Sequence, residues 1–349
     1  MYNQVSSWPA SGDPEAGEKV GRLRLKDMRR ENPFVRMFKA LMNDYSILFV
    51  LLALFLILSV FVESFFRISN ITNVLRQVSM VSIVAVGMFF CLIGNGIDLS
   101  AGACVGFTGI FFADLIVNKG VNPYVAIVMC LALGAVLGLL NGVLTSYARL
   151  MPFVATVGTM SIAEGLALLW TNSYPVLNLP PQMEYIGRGY LFNVPFPLYI
   201  VVVVYVVAYF ITEKTRYGRF LYASGGNGDA AYLSGINVKR IRMLSYVVCS
   251  ITVALAAIIL CGRLDSAQPA NGKDWGFKAI TACVLGGTSM NGGKGKVLGV
   301  LLGAIFVGML SNGMTLLNIN SNLQTVANGV VLVIAVGIDV FRTSKANRT

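Results

Sequence analysis

The chain has 349 residues, 56% of them hydrophobic and only 12% charged, with a mean hydropathy of +0.71, whereas a soluble domain carries about a quarter charged residues. Histidine is absent, which excludes Ser/His/Asp triads, Cys/His pairs and His-ligated zinc. The net charge of +11 calls for no nucleic-acid partner, because the basic residues sit in a few segments between apolar runs, the pattern of cytoplasmic loops.

Those apolar runs are unbroken and about twenty residues long, enough to cross a bilayer as helices and unlike the short alternating strands of a barrel. The sequence therefore reads as an all-α polytopic membrane protein. Residues 1–45 are polar and basic, with Lys19, Arg22, Arg24, Lys26, Arg29, Arg30, Arg36 and Lys39. Ser46 to Phe66 follows as a retained first helix, too long for a signal-peptide core. Further spans are predicted at 79–97, 98–118, 123–148, 152–172, 197–212, 243–262, 277–290, 297–316 and 323–341, about ten in all.

The 213–242 segment carries Lys214, Arg216, Arg219, Lys239, Arg240 and Arg242, and the last residues carry Arg342, Lys345 and Arg348. The positive-inside rule places these segments and residues 1–45 in the cytoplasm. Two cytoplasmic termini need an even number of spans, which puts segments 173–196 and 263–276 outside. The predicted organisation is a cytoplasmic N-terminal segment, 1–45, and a transmembrane domain, 46–341, containing the cytoplasmic loop 213–242. A cytoplasmic tail, 342–349, completes it.

Cys91, Cys104, Cys130, Cys249, Cys261 and Cys283 fall in or beside apolar runs with no CxxC spacing and read as buried thiols, not as a disulfide frame or metal site. Leu133-Gly134-Ala135 leads to Asn141-Gly142 in the fourth span, and Leu302-Gly303-Ala304 to Asn312-Gly313 in the ninth. This suggests an inverted repeat of spans 2–5 and 7–10 with a pathway at its interface; the competing reading is chance recurrence in glycine-rich helices.

Two clusters interrupt the apolar pattern, Gly94 to Gly102 and Gly286 to Gly295. Non-helical backbone at membrane depth survives only where protein or a wet cavity satisfies its polar groups. Asn95, Gly96, Asp98, Ser100, Thr288 and Ser289 are therefore pathway or gate candidates, against the reading of both clusters as ordinary turns, and the intramembrane acid Glu164 joins them as a pathway candidate. Asp98 suits an Asx-type cap on the third span. Gly293-Lys294 is not a phosphate loop, since Thr288 stands where its first glycine belongs and Gly295 where Ser or Thr belongs; the chain itself binds no ATP.

Within the 213–242 loop, Asn227 to Gly235 reads as a short helix with Asn227 as N-cap, Asp229 complementing the dipole and Gly235 as the stop. It is a docking element or a simple excursion of the loop.

The stretch TRYGRFLYASGGNGDAAYLSGINVKRIR, with GIDLSAG, PFVATVGTM, LLNG and GGTSMNGGKGKVLG in that relation, resembles the permease subunit of ribose, xylose and galactose-type ABC sugar importers, over roughly residues 45–341. The resemblance implies a bacterial cytoplasmic (inner) membrane protein that pairs with a second permease copy or a related permease. It also implies an ABC ATPase subunit, a substrate-binding protein and a monosaccharide, ribose-like, as partners alongside membrane lipid. Asn227, Asp229, Ala230, Ala231 and Gly235 then correspond to the coupling helix seated in the ATPase, with small Ala230 and Ala231 in close approach to it. The chain departs from the family at Trp275-Gly276-Phe277-Lys278-Ala279-Ile280, where many members carry Tyr-Glu-Leu-Asp-Ala-Ile.

The alternative from a different class is an ion-coupled secondary transporter using the intramembrane acids Asp98, Asp114 or Glu164, since such acids are functional candidates by default. Glu164 is expected to be the most buried of the three and Asp114 to lie near a helix end. No catalytic, cofactor-binding or metal-binding residue is assigned, and an intramembrane transferase lacks a paired-acid constellation.

Overall fold

The computed structural model describes residues 46–346, and their regular structure is almost entirely helical. Residues 50–346 form one compact unit. The predicted N-terminal segment 1–45 lies outside the described residues. In chain order the helices are α1 (Ser46–Phe61), α2 (Ile68–Ile93), α3 (Ala101–Val117), α4 (Pro123–Ser146), α5 (Pro152–Trp170), α6 (Pro181–Arg188) and α7 (Phe196–Lys214). They continue as α8 (Arg216–Gly226), α9 (Gly228–Leu233), α10 (Val238–Leu264), α11 (Trp275–Leu285), α12 (Val297–Leu316) and α13 (Ser321–Ala346).

Helices α2, α4, α5, α7, α10 and α12 are long and apolar enough to cross a membrane, and α1, α3, α11 and α13 supply shorter apolar stretches at the remaining predicted runs. The chain is thus an all-α, multi-pass membrane protein. Local chemistry sets several starts. Pro123, Pro152 and Pro181 occupy first-turn positions that need no N–H, and Asn122 accepts the Tyr124 amide at 2.9 Å. The last helix runs through Ala346, beyond the predicted end at 341.

Helix α2 begins at Ile68, eleven residues before the apolar run, because its polar first turns find partners inside the protein. Asn70 Nδ2 donates to the Phe65 carbonyl at 3.0 Å, and Asn70 and Asn312 exchange amide bonds of 3.3 and 2.9 Å. From Val78 to Ile93 every residue is buried, as expected of a helix that is apolar all round. With lipid as the alternative environment, such packing rests on close fit and interhelical hydrogen bonds.

The major helix contacts exchange one for one when α2, α3, α4 and α5 are swapped with α10, α11, α12 and α13. Helix α2 packs on α12 and α11 as α10 packs on α4 and α3. The α3–α5 and α3–α4 contacts likewise match α11–α13 and α11–α12. Packing therefore carries the repeat suggested by the two Leu-Gly-Ala to Asn-Gly pairs.

The 173–196 and 263–276 segments meet in a two-stranded antiparallel pair, β1 (Val176–Leu177) with β4 (Ser266–Ala267), in register Val176 to Ala267. Asp265, at φ +54°, accepts the Leu179 amide at 2.9 Å. A second small hairpin joins β2 (Tyr190–Leu191) to β3 (Val194–Pro195). All six cysteines are buried free thiols.

Candidate functional site

At 1.5 Å per residue, α3 and α11 are only about 25 and 16 Å long, short of a hydrocarbon core of about 30 Å. Each is preceded by non-helical chain, residues 94–100 and 268–274. These two segments meet at the N-terminal ends of their helices. A Cβ on Gly102 would lie 2.6 Å from the Lys273 carbonyl oxygen, and one on Gly276 would lie 3.4 Å from that of Leu99. Segment 263–276, expected outside between two spans, packs its second half by backbone against α3. Its Gln-Pro-Ala-Asn-Gly composition signals irregular chain but not this close approach.

The first break is built around Asp98, which has no exposed surface. Its Oδ1 accepts the Ser100 amide at 3.0 Å, the Ser100 hydroxyl at 2.5 Å and Asn141 Nδ2 at 3.3 Å; Asn141 Nδ2 also donates to Ser100 Oγ at 2.8 Å. The Asx-type bond expected of Asp98 is present, and Asn141 extends it to α4. Asp98 Oδ2 and Asn141 Oδ1 are buried without partners. Asn95 takes the left-handed conformation, φ +61°, while Gly96 lies beneath the Tyr246 ring.

The acids separate by environment. Asp98 is the most buried, and the expectation for Glu164 is corrected: it is only half-buried, because it sits on the largely exposed α5. Glu164 lines a small cavity of about 120 Å³ with Ala103 and residues 269–271 and 273. Asp114, in the last turn of α3, is tied to Asn118 at 2.7 Å, Trp170 Nε1 at 3.0 Å and Lys119 at 3.6 Å.

The second break, between α11 and α12, turns through Gly287, Gly292 and Gly293, all at positive φ. Thr288 is fully buried with an unpartnered Oγ1, and the Ser289 amide donates to the Lys294 carbonyl at 3.0 Å. The Met290 amide donates to Asp339 at 3.2 Å, fastening this turn to α13.

The loop after α7 holds two helices where one was expected. Thr215 caps α8, accepting the Gly218 amide at 3.2 Å; the Tyr217 to Leu221 spacing was its legible signal. Asn227 then caps α9 through the Ala230 amide at 3.0 Å, and Gly235, φ +82°, closes it. Ala230 is exposed but Ala231 is buried within the chain. Asp229 faces a cavity of about 1050 Å³ bounded by Gly94–Ile97, the α4–α5 turn and the start of α10.

These three parts converge. Gly293 donates its N–H to the Ile93 carbonyl at 2.9 Å, Gly225 packs on that carbonyl, and the Tyr222 hydroxyl donates to the Gly295 carbonyl at 2.9 Å. Burial pushes the Tyr222 phenol up to about 12, so it stays a donor. The structure thus brings Asn95 against Gly292 of the second break, Gly96 against α10, and Asp98 and Ser100 against α4. Glu164 stands apart at the 269–273 segment.

A helical membrane protein built from an internal repeat, with two interrupted helices meeting end to end and a helical loop backed onto two breaks, has the build of a transport protein. The family model described as branched-chain amino acid transport system / permease component matches residues 70–336, and the chain belongs to that family. It is 40% identical over 305 residues to the ribose import permease protein RbsC of Escherichia coli strain K12, covering 86% of this chain and 95% of the relative. It is also 40% identical over 291 residues to RbsC of Bacillus subtilis strain 168 (83% and 90% covered), and 32% identical over 298 residues to the D-allose transport system permease protein AlsC of E. coli K12 (85% and 90%). No solved structure matches the chain.

Proposed function

We propose that the chain is the membrane-spanning permease subunit of an ATP-driven bacterial importer that carries a monosaccharide, ribose-like, across the cytoplasmic membrane. A binding protein delivers the sugar and a separate ATPase subunit supplies the energy. Two permeases, identical or related, enclose the pathway, and both termini are cytoplasmic. The sugar class rests on the ribose and D-allose relatives, and the coupling role of α9 rests on its resemblance to the family's coupling helix, supported by the packing of the adjoining α8. The observation that carries it is the junction at Ile93, where the end of α8 and the second break share one carbonyl at the mouth of the first break. A displacement of the α8–α9 module meets both breaks there.

The competing ion-coupled reading narrows to one fully buried acid, Asp98, since Asp114 is engaged by three neighbours and Glu164 is only partly buried. The deciding experiment is reconstitution in liposomes with the ATPase and binding protein. ATP-dependent ribose uptake that survives collapse of the proton gradient is expected. Ala230→Arg, on the exposed side of α9, is expected to abolish binding-protein-stimulated ATP hydrolysis and uptake, whereas unchanged stimulation and uptake would remove α9 from the coupling role.

A further inference from the structure

Arg242 enters α10 one turn after its start, half-buried between the helical loop and the first break. Its Nη2 donates to the Ser224 carbonyl at 2.7 Å, at the carboxyl end of α8, where a cation also complements the helix dipole. Its Nε is buried without a partner. Gly228, the first residue of α9, leaves the guanidinium its space: a Cβ there would stand 3.1 Å from Nη2. Arg242 is therefore in contact with the end of α8 and the start of α9 at once.

One turn further along α10, Tyr246 is almost wholly buried, with its ring and hydroxyl against Gly96 and its oxygen 3.5 Å from the Ile97 carbonyl. Ile97 precedes Asp98. Arg242 and Tyr246 are thus neighbours on one helix face, one bearing on the helical loop and the other on the first break.

We propose that Arg242 and Tyr246 form a positioning link that carries a displacement of the α8–α9 module to the break at Gly94–Ser100. The inference rests on the importer reading given above and adds the residues through which the loop acts. Arg242 supplies a directional bond to α8, α10 supplies a stiff lever, and the Tyr246 ring presses on a residue with no side chain to yield. The contact through Gly225 fixes where the module sits, whereas the Arg242 bond is the one that a shift of α8 can pull.

The test uses the reconstituted transporter and reads sugar taken up per ATP hydrolysed. Arg242→Met keeps most of the stem and removes the donors. The ATPase should bind this variant as it binds wild type, while sugar moved per ATP falls about tenfold, within the roughly 2- to 30-fold range of measured coupling effects. Arg242→Lys, which keeps one donor for the Ser224 carbonyl, should recover the ratio. Independently, Gly96→Ala should lower the ratio by collision with the Tyr246 hydroxyl, and Gly96→Ala with Tyr246→Phe, which removes the nearest atom and leaves the ring close by, should recover part of it. A wild-type ratio in Arg242→Met overturns the link alone, as does a loss of assembly in proportion to transport. Uptake by the wild-type chain without ATP overturns both the link and the importer reading.

Discussion

Gly225 and Ile93 meet backbone to backbone: a Cβ on Gly225 would run into the carbonyl that ends α2 and that also accepts the Gly293 amide. The neighbouring glycine is different, since a Cβ on Gly226 would come no closer than 3.8 Å to any atom. The pair tests whether α8 is wedged at that junction. Overpacking at close backbone contacts costs about 1–3 kcal/mol, so Gly225→Ala should lower the melting temperature in detergent and cut uptake. Gly226→Ala should stay within about 0.5 kcal/mol of wild type. Equal behaviour of the two variants would contradict the packing.

A second relationship lies within the helix core. Asn70 on α2 and Asn312 on α12 form a reciprocal amide pair, both nearly fully buried. Buried side-chain pairs of this kind in membranes contribute about 0.6–2 kcal/mol. A double-mutant cycle with Asn70→Ala and Asn312→Ala, followed by denaturation in mixed micelles, should return a coupling energy in that range. The double variant should be destabilised by less than the sum of the two single variants, because each single variant strands a buried polar atom of the remaining asparagine. A coupling energy near zero would make the pair incidental.

Much of this arrangement is legible in the sequence, for physical reasons. The apolar runs fix where helices lie because a bilayer demands length and continuity, and the interruption at Gly94–Ser100 is visible because an acid and turn residues cannot continue such a run. Asn227 and Gly235 mark the ends of α9 because caps are chosen by local chemistry. The polar start of α2 was hidden, since its partner Asn312 is 242 residues away. The same holds for Arg242, whose acceptor is a backbone carbonyl and leaves no mark in the side-chain pattern. Glu164 was misplaced because hydropathy cannot distinguish a helix packed on all sides from one with an open face.

The sidedness of the chain is open to direct measurement. Tyr174 is 73% exposed in the 173–196 segment and Leu233 is 84% exposed at the end of α9. The six native thiols are buried, so single cysteines at these positions give clean signals. Tyr174→Cys should react with an impermeant maleimide added to intact cells, and Leu233→Cys only after the membrane is opened. The reverse pattern would invert the topology and remove α9 from the ATPase side.

The role of Asp98 separates the two transport mechanisms. Its Oδ1 collects three donors from Ser100 and Asn141, while its Oδ2 and Asn141 Oδ1 face no partner. Asparagine and aspartate cap about equally well, and an amide at position 98 keeps the Oδ1 acceptor. Asp98→Asn should therefore assemble normally and transport within about threefold of wild type, less than the tenfold that 1.4 kcal/mol would bring. Asp98→Ala removes the acceptor, strands the Ser100 amide and hydroxyl donors at a cost of about 1–3 kcal/mol each, and should collapse both the break and uptake. An ion-coupled carrier gives a different pair of results, since a carboxyl that must bind and release an ion or proton cannot be replaced by an amide. Uptake at neutral pH, with the ATPase and binding protein present, reads the difference: loss of transport in Asp98→Asn with assembly intact would shift the mechanism to the acid itself.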